Sequence, residues 1–279
     1  MDIVQSAAGK FEIEMYSKDK DVTAFPSRYE FLKAHNGIRP NCLHGIMGSS
    51  GSGKSTIFKC IIAEAAQHAP VLVWLSEESV VEYQELINYM DDGCLHNIKF
   101  VEEKDIPEER KLSQNDFLET FEQAVEASGA ELVFIDNVTS SAFYNTRYGF
   151  AGQNKTASFL QAFVKRKCAI FYVTHTDASV SDNHAKIINQ ENIRGSKELP
   201  IVTEYLYIIQ KMTNEDRQYN LVRTAKYRHH EKAKGWYALN FSDHTYIGDK
   251  KVPFSMVNAI FKSRDYLGKK GPKAKAKTD

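Results

Sequence analysis

The stretch Gly48-Ser49-Ser50-Gly51-Ser52-Gly53-Lys54-Ser55 decides the fold. Gly48, Gly53, Lys54 and Ser55 fill every fixed position of the phosphate-loop pattern, a glycine, any four residues, then Gly-Lys-Ser/Thr. An apolar run at 42–47 precedes it and an apolar-rich segment at 57–66 follows, so the order reads strand, loop, helix. A flexible Gly/Ser linker would lack those flanks. Glycines let successive backbone N–H groups turn inward, and a helix N-terminus adds partial positive charge, so such a loop encloses phosphate oxygens. Gly48, Ser49, Gly51, Ser52, Gly53, Lys54, Ser55 and Thr56 are therefore the candidate phosphate contacts. Lys54 would reach the β/γ-phosphates, and the Ser55 hydroxyl would ligate Mg²⁺.

Downstream, residues 71–75 read as a buried parallel strand that ends at Ser76-Glu77-Glu78-Ser79. Val80, Tyr83, Leu86, Ile87 and Met90 then share one helical face. A third strand is expected at 98–101, a charged loop containing Pro107 at 102–111, and an amphipathic helix around Phe117, Leu118, Phe121, Ala124 and Val125. Residues 131–136 are apolar after Glu131 and end in Asp136. A carboxylate at the end of such a strand holds Mg²⁺, usually through water, so Asp136 joins Ser55 as a metal candidate. A glycine-containing loop at 139–153, a helix at 156–164 and a fifth strand at 169–173 follow, the last ending in Thr174-His175. Residues 176–200 form a long polar loop, of a length that in compact domains is usually functional. Residues 204–209, 219–225 and 236–241 alternate as antiparallel strands. The expected fold is α/β: a central, mainly parallel sheet with helices on both faces and antiparallel strands at its C-terminal edge.

The chain has 279 residues and no net charge, but the balance is uneven. Residues 77–131 carry 16 acidic side chains against four basic ones, whereas 141–235 carry 15 basic against eight acidic, so a polyanion would meet the second half. Three segments are expected: an N-terminal arm at 1–30, one nucleotide-binding domain at 31–261, and a disordered basic tail at 262–279. Cys42, Cys60, Cys94 and Cys168 are widely spaced, without a CxxC or a nearby histidine pair. That usage fits free thiols in a reducing, cytoplasmic setting, without structural zinc. No apolar run approaches the roughly 18–20 residues that cross a bilayer, so no membrane partner is expected.

The order of these features over about 33–241 resembles the RecA-like ATPases, within them the DnaB-type hexameric helicases and the RadA/KaiC-type proteins. Asn36-Gly37-Ile38-Arg39-Pro40-Asn41 resembles the family's glycine-x-arginine-proline-glycine lead-in, with Asn41 replacing the last glycine. The resemblance implies ATP with Mg²⁺ as cofactors and a RecA-like P-loop fold. It puts Glu77 or Glu78 at the catalytic glutamate position, and His175 at the γ-phosphate sensor. Arg194-Gly195-Ser196-Lys197-Glu198 resembles the loop that leads into the next strand of these helicases. Lys226-Tyr227-Arg228 resembles the Lys-x-Arg element that reaches a neighbouring subunit's nucleotide, although His229-His230 replace the glycine that commonly follows.

The chemistry at these positions is coherent. Hydrolysis needs a water oriented by a carboxylate near the γ-phosphate, and of the two glutamates Glu77 is preferred. The alternative is a pair of solvated acids opening a helix. Lys226 and Arg228 would supply positive charge from the next subunit. Arg147, Lys186, Arg194 and Lys197 lie in the two loops that line the central channel of the resembling helicases, with Phe143, Tyr144 and Tyr148 beside them to stack bases. The alternative is that these aromatics fold back on the core. The function implied is a DnaB-like motor, a homo-oligomer forming a hexameric ring on single-stranded DNA, working with other replication or recombination proteins. A RecA/RadA-like recombination or annealing protein and a KaiC-like signalling ATPase remain open beside it.

Overall fold

Residues 24–90, 92–144, 148–166, 168–177, 187–214, 217–227 and 235–259 are described by a computed structural model. Residues 1–23 of the predicted arm, the whole predicted tail at 262–279, Arg147, Lys186 and Arg228 lie outside them.

Strand β1 (Leu43–Gly48) is buried along its whole length, as expected for a strand covered on both faces. The phosphate loop follows it, and helix α2 (Lys54–Ala66) runs back across the sheet. A four-residue helix, α1 (Glu30–Lys33), precedes them. Then come β2 (Val71–Leu75), α3 (Val80–Met90), β3 (Ile98–Glu102), α4 (Gln114–Ser128), β4 (Leu132–Asp136), α5 (Gly149–Val164) and β5 (Ala169–His175). A short helix, α6 (Glu198–Val202), leads into four antiparallel strands, β6 (Tyr205–Asn214), β7 (Arg217–Tyr227), β8 (Trp236–Ser242) and β9 (Thr245–Val252).

These nine strands make one sheet in the order β3-β2-β4-β5-β1-β6-β7-β8-β9. Strands β1 to β6 are parallel to their neighbours, and β6 onward is antiparallel. The phosphate-loop strand β1 and the aspartate strand β4 are separated by β5, so both deliver their C-terminal ends to one edge of the sheet, where ligands bind in such folds.

Apolar side chains divide into two layers. Ile57, Phe58 and Ile61 of α2 and Tyr83 and Ile87 of α3 cover one face of the sheet. Phe117 and Phe121 of α4 and Leu160 and Phe163 of α5 cover the other. Trp74 of β2 anchors the second layer, edge-on to Phe117 and Phe121 at 5.8 and 5.2 Å.

Three sequence expectations change. The segment before α1 is packed from Phe25 onward: Phe25 bridges to Ile38, and buried Glu64 of α2 accepts from the Ser27 hydroxyl at 2.7 Å and the Arg28 amide at 2.5 Å. Helix α5 begins at Gly149, so it takes in the end of the loop expected at 139–153. Gly149 and Gly152 read as loop signals, yet Gly152 is there because a Cβ would overlap Tyr148. Strand β9 was missed. Its hairpin turns on Asp243 and His244, both with positive φ, rather than on the Asn-Gly pair that advertises such turns.

Candidate functional site

The phosphate loop owes its shape to backing from two strands. A Cβ on Gly48 would sit 2.5 Å from the Ile209 carbonyl oxygen of β6 and 2.7 Å from Ser52 Oγ. Gly53, at φ 89°, is the left-handed N-cap of α2, and a Cβ there would overlap the Tyr246 hydroxyl of β9. Strand β9 therefore buttresses the loop, a role the sequence did not disclose.

Lys54 is buried and donates to the Ser49 carbonyl at 2.7 Å, so its ammonium crosses the loop. Burial pulls it down to about 8, against the opposing pull of Asp136 and Glu77. Ser49 and Ser52 are buried, Gly53, Ser55 and Thr56 half-buried, and Gly51 is exposed at φ 69°. The Ser52 hydroxyl is buried without a hydrogen-bond partner among the described residues. A buried cation hydrogen-bonded to a loop carbonyl, a hydroxyl without a partner among the described residues and a helix N-terminus fit an anion with several oxygens.

Asp136 ends β4 and is 2 % exposed. Burial raises its carboxyl to about 6, the hydrogen bond from Tyr83 opposes that rise, and Glu78 and Glu77 add to it. Among the described residues no group of three or more His, Cys, Asp or Glu is arranged to hold a metal. One buried carboxylate and the Ser55 hydroxyl fit a Mg²⁺ that takes its remaining oxygens from phosphate and water.

Glu77 and Glu78 prove unlike. Glu78 forms an ion pair with Lys59 of α2. Glu77 faces the other way, accepting from the Ser140 hydroxyl with His175 Nε2 at 3.6 Å. Asn137 joins this group. Its Oδ1 accepts from the Thr139 hydroxyl at 2.8 Å and the Ser140 amide at 2.9 Å, which turns its Nδ2 to His175 Nε2 at 2.8 Å. The approach of His175 is the largest influence holding the Glu77 carboxyl down, to about 2, burial opposes it, and Ser140 and Asn137 add to the lowering.

A second buried carboxylate, Glu103, shapes the loop that carries Ser140. It accepts from Trp74 Nε1 at 2.6 Å, the Ala142 amide at 2.9 Å and the Ser141 hydroxyl.

Of the residues expected at a nucleic-acid channel, Arg147 and Lys186 lie outside the described residues. Phe143 and Tyr144 are buried, Phe143 against Trp74, Phe117 and Phe121, and Tyr144 with its hydroxyl on the Ser196 carbonyl. They are core side chains, not base-stacking ones. The exposed aromatic on this side is Phe150, in the first turn of α5. Lys197 donates to the carbonyls of Glu191 and Ile193. Arg194 is exposed. Lys226 donates to the carbonyls of Pro200 at 2.7 Å and Ile201 at 2.5 Å, which directs it to the C-terminal end of its own α6.

Lys59, Tyr83, Asn137, Ser140 and Tyr246 escaped sequence reading. Lys59 carried a signal, a lone charge within the apolar stretch 57–63.

Fold and site together define a P-loop protein of RecA-like fold. A KaiC-like protein from the hyperthermophilic archaeon Pyrococcus horikoshii shares the fold, with a TM-score of 0.63 over 83% of this chain and 100% of its own, at 15% identity. The galactose/methyl galactoside import ATP-binding protein MglA of Sodalis glossinidius is 29% identical over 77 residues, 28% of this chain. That match spans only 15% of the relative's length. No family model matches the sequence. Among the described residues no helix is long and apolar enough to cross a membrane.

Proposed function

We propose that the chain is a Mg²⁺-dependent ATPase in which Glu77 positions the attacking water. The observation that carries this reading is the division of the glutamates: Glu78 is neutralised by Lys59, whereas Glu77 stands with His175, Asn137 and Ser140. Lys54 and the loop amides hold the β/γ-phosphates, and the Ser52 hydroxyl gains a partner there. Ser55 and Asp136 would hold Mg²⁺, which when bound neutralises charge on the phosphate oxygens. His175 turns to the γ-phosphate when a triphosphate fills the loop. Glu77 then loses its strongest restraint and recovers the basicity that general-base chemistry needs. After cleavage His175 returns to Asn137 and Glu77, which links the state of the nucleotide to the segment that follows β5.

We infer that turnover is coupled to single-stranded DNA in a homo-oligomer, as in a DnaB-type motor. Exposed Arg194 and Phe150 support this, a cation for backbone phosphate and a ring for a base. Arg228 would be the residue that reaches the neighbouring subunit, since Lys226 is bonded to its own α6. Burial of Phe143 and Tyr144 and the anchoring of Lys197 favour a second reading, a KaiC-like ATPase that acts without DNA. ATP turnover with and without single-stranded DNA separates them. The motor predicts stimulation that Arg194→Ala removes, and the second reading predicts none. Loss of all turnover in Lys54→Ala supports the phosphate loop as the site, and retained turnover refutes it.

A further inference from the structure

Three side chains, Glu78, Lys59 and Tyr83, link α2 and α3 to Asp136. The Tyr83 hydroxyl donates to Asp136 Oδ2. Tyr83 lies on the inward face of α3, is wholly buried, and meets Phe100 of β3 edge-on at 6.3 Å. The Lys59 ammonium stands over its ring, 4.6 Å from the centroid. Lys59 is 8% exposed and is itself paired with Glu78, just ahead of α3.

We propose that Tyr83 is the positioning residue of the Asp136 carboxylate and that the Lys59–Glu78 pair holds Tyr83 to that task. This rests on the reading of Asp136 as the metal carboxylate. Its hydroxyl takes one oxygen of a buried acid that ends the neighbouring strand β4. The bond to Oδ2 fixes the carboxylate's orientation and leaves Oδ1 without a donor among the described residues, so Oδ1 is the oxygen this proposal assigns to the metal. A cation over the ring draws electron density from it and makes the phenol a better donor. Partners that orient a ligating carboxylate commonly govern metal affinity as strongly as some ligands do. Glu78 thus acts through structure, and α2, α3 and β4 are tied at one point.

The test uses the full chain with ADP and Mn²⁺ as the probe, read by electron paramagnetic resonance. Tyr83→Phe is expected to weaken Mn²⁺ binding about 10–100-fold, the usual scale for a lost outer partner, while metal-free ADP affinity in EDTA stays within about twofold. Lys59→Met, which keeps the hydroxyl, is expected to weaken Mn²⁺ binding about tenfold, and Lys59→Arg to restore it. Mn²⁺ affinity within about twofold of the parent in a folded Tyr83→Phe protein overturns the proposal. If Tyr83→Phe does not fold, unchanged Mn²⁺ affinity in Lys59→Met overturns it instead. A parent chain that binds ADP but no Mn²⁺ overturns both this role and the metal reading of Asp136, whereas normal parent binding with unaffected variants overturns the Tyr83 role alone.

Discussion

Asp136→Asn is expected to stabilise the metal-free protein at neutral pH while weakening its response to Mg²⁺ and ATP. The Asp136 carboxyl moves from its ordinary 3.8 to about 6 in the fold, chiefly by burial. A carboxyl raised in the folded state contributes stability below its unfolded value, and that contribution is lost as pH rises through the folded one. Each pH unit is worth about 1.4 kcal/mol, so the buried charge costs about 3 kcal/mol above pH 7. Asparagine keeps the shape and still accepts from Tyr83, but it never ionises. Denaturant unfolding of both proteins in EDTA, from pH 3.5 to 8, gives the difference directly. The two curves should coincide below about pH 4 and separate by up to about 3 kcal/mol above pH 7, with the variant more stable. Adding Mg²⁺ and ATP at 100 times their dissociation constant should add about 2.7 kcal/mol to the parent and less to the variant. A variant less stable than the parent by the same amount at pH 4 and pH 8 would refute the buried-charge reasoning.

Other perturbations have equally definite outcomes. Gly53→Ala forces a left-handed φ on alanine and drives its Cβ into the Tyr246 hydroxyl, so it should cost about 1–3 kcal/mol in a thermal melt and reduce nucleotide affinity. Phe143→Ala opens the cluster around Trp74 and should cost about 3–5 kcal/mol in urea unfolding, where a base-stacking residue would lose only DNA affinity. Lys54→Met removes a buried ammonium held down to about 8, well below its ordinary 10.5, so the nucleotide-free protein should be stabilised at pH 7 and the gain should fade as pH approaches 10.5.

Much of this arrangement was legible because parallel strands buried on both faces read as short apolar runs. Strand β2 begins and ends at the expected residues, and β4 terminates at Asp136 as the metal reading required. The phosphate loop was legible because glycine, lysine and serine at fixed spacing serve one geometry. The partner network was not, since pairing across α2, α3 and β4 leaves no periodic trace. Only the lone Lys59 among apolar neighbours hinted at it. The two adjacent glutamates look equivalent as letters, and their roles part only when Lys59 and His175 approach from different elements. Aromatics in the 139–153 loop were ambiguous for a related reason. A loop that passes under a helix buries its rings as a core strand does, and Phe143 and Tyr144 take that course.

The division between the two glutamates is tested most directly by ATP turnover and ATP binding measured side by side for Glu77→Gln and Glu78→Gln. Glu77→Gln should bind Mg–ATP nearly as the parent does and lose about 10²–10⁴-fold in turnover, the range of a missing general base, while Glu78→Gln keeps turnover within about tenfold at saturating Mg²⁺. Full turnover in Glu77→Gln, with loss in Glu78→Gln at unchanged metal affinity, would contradict the account.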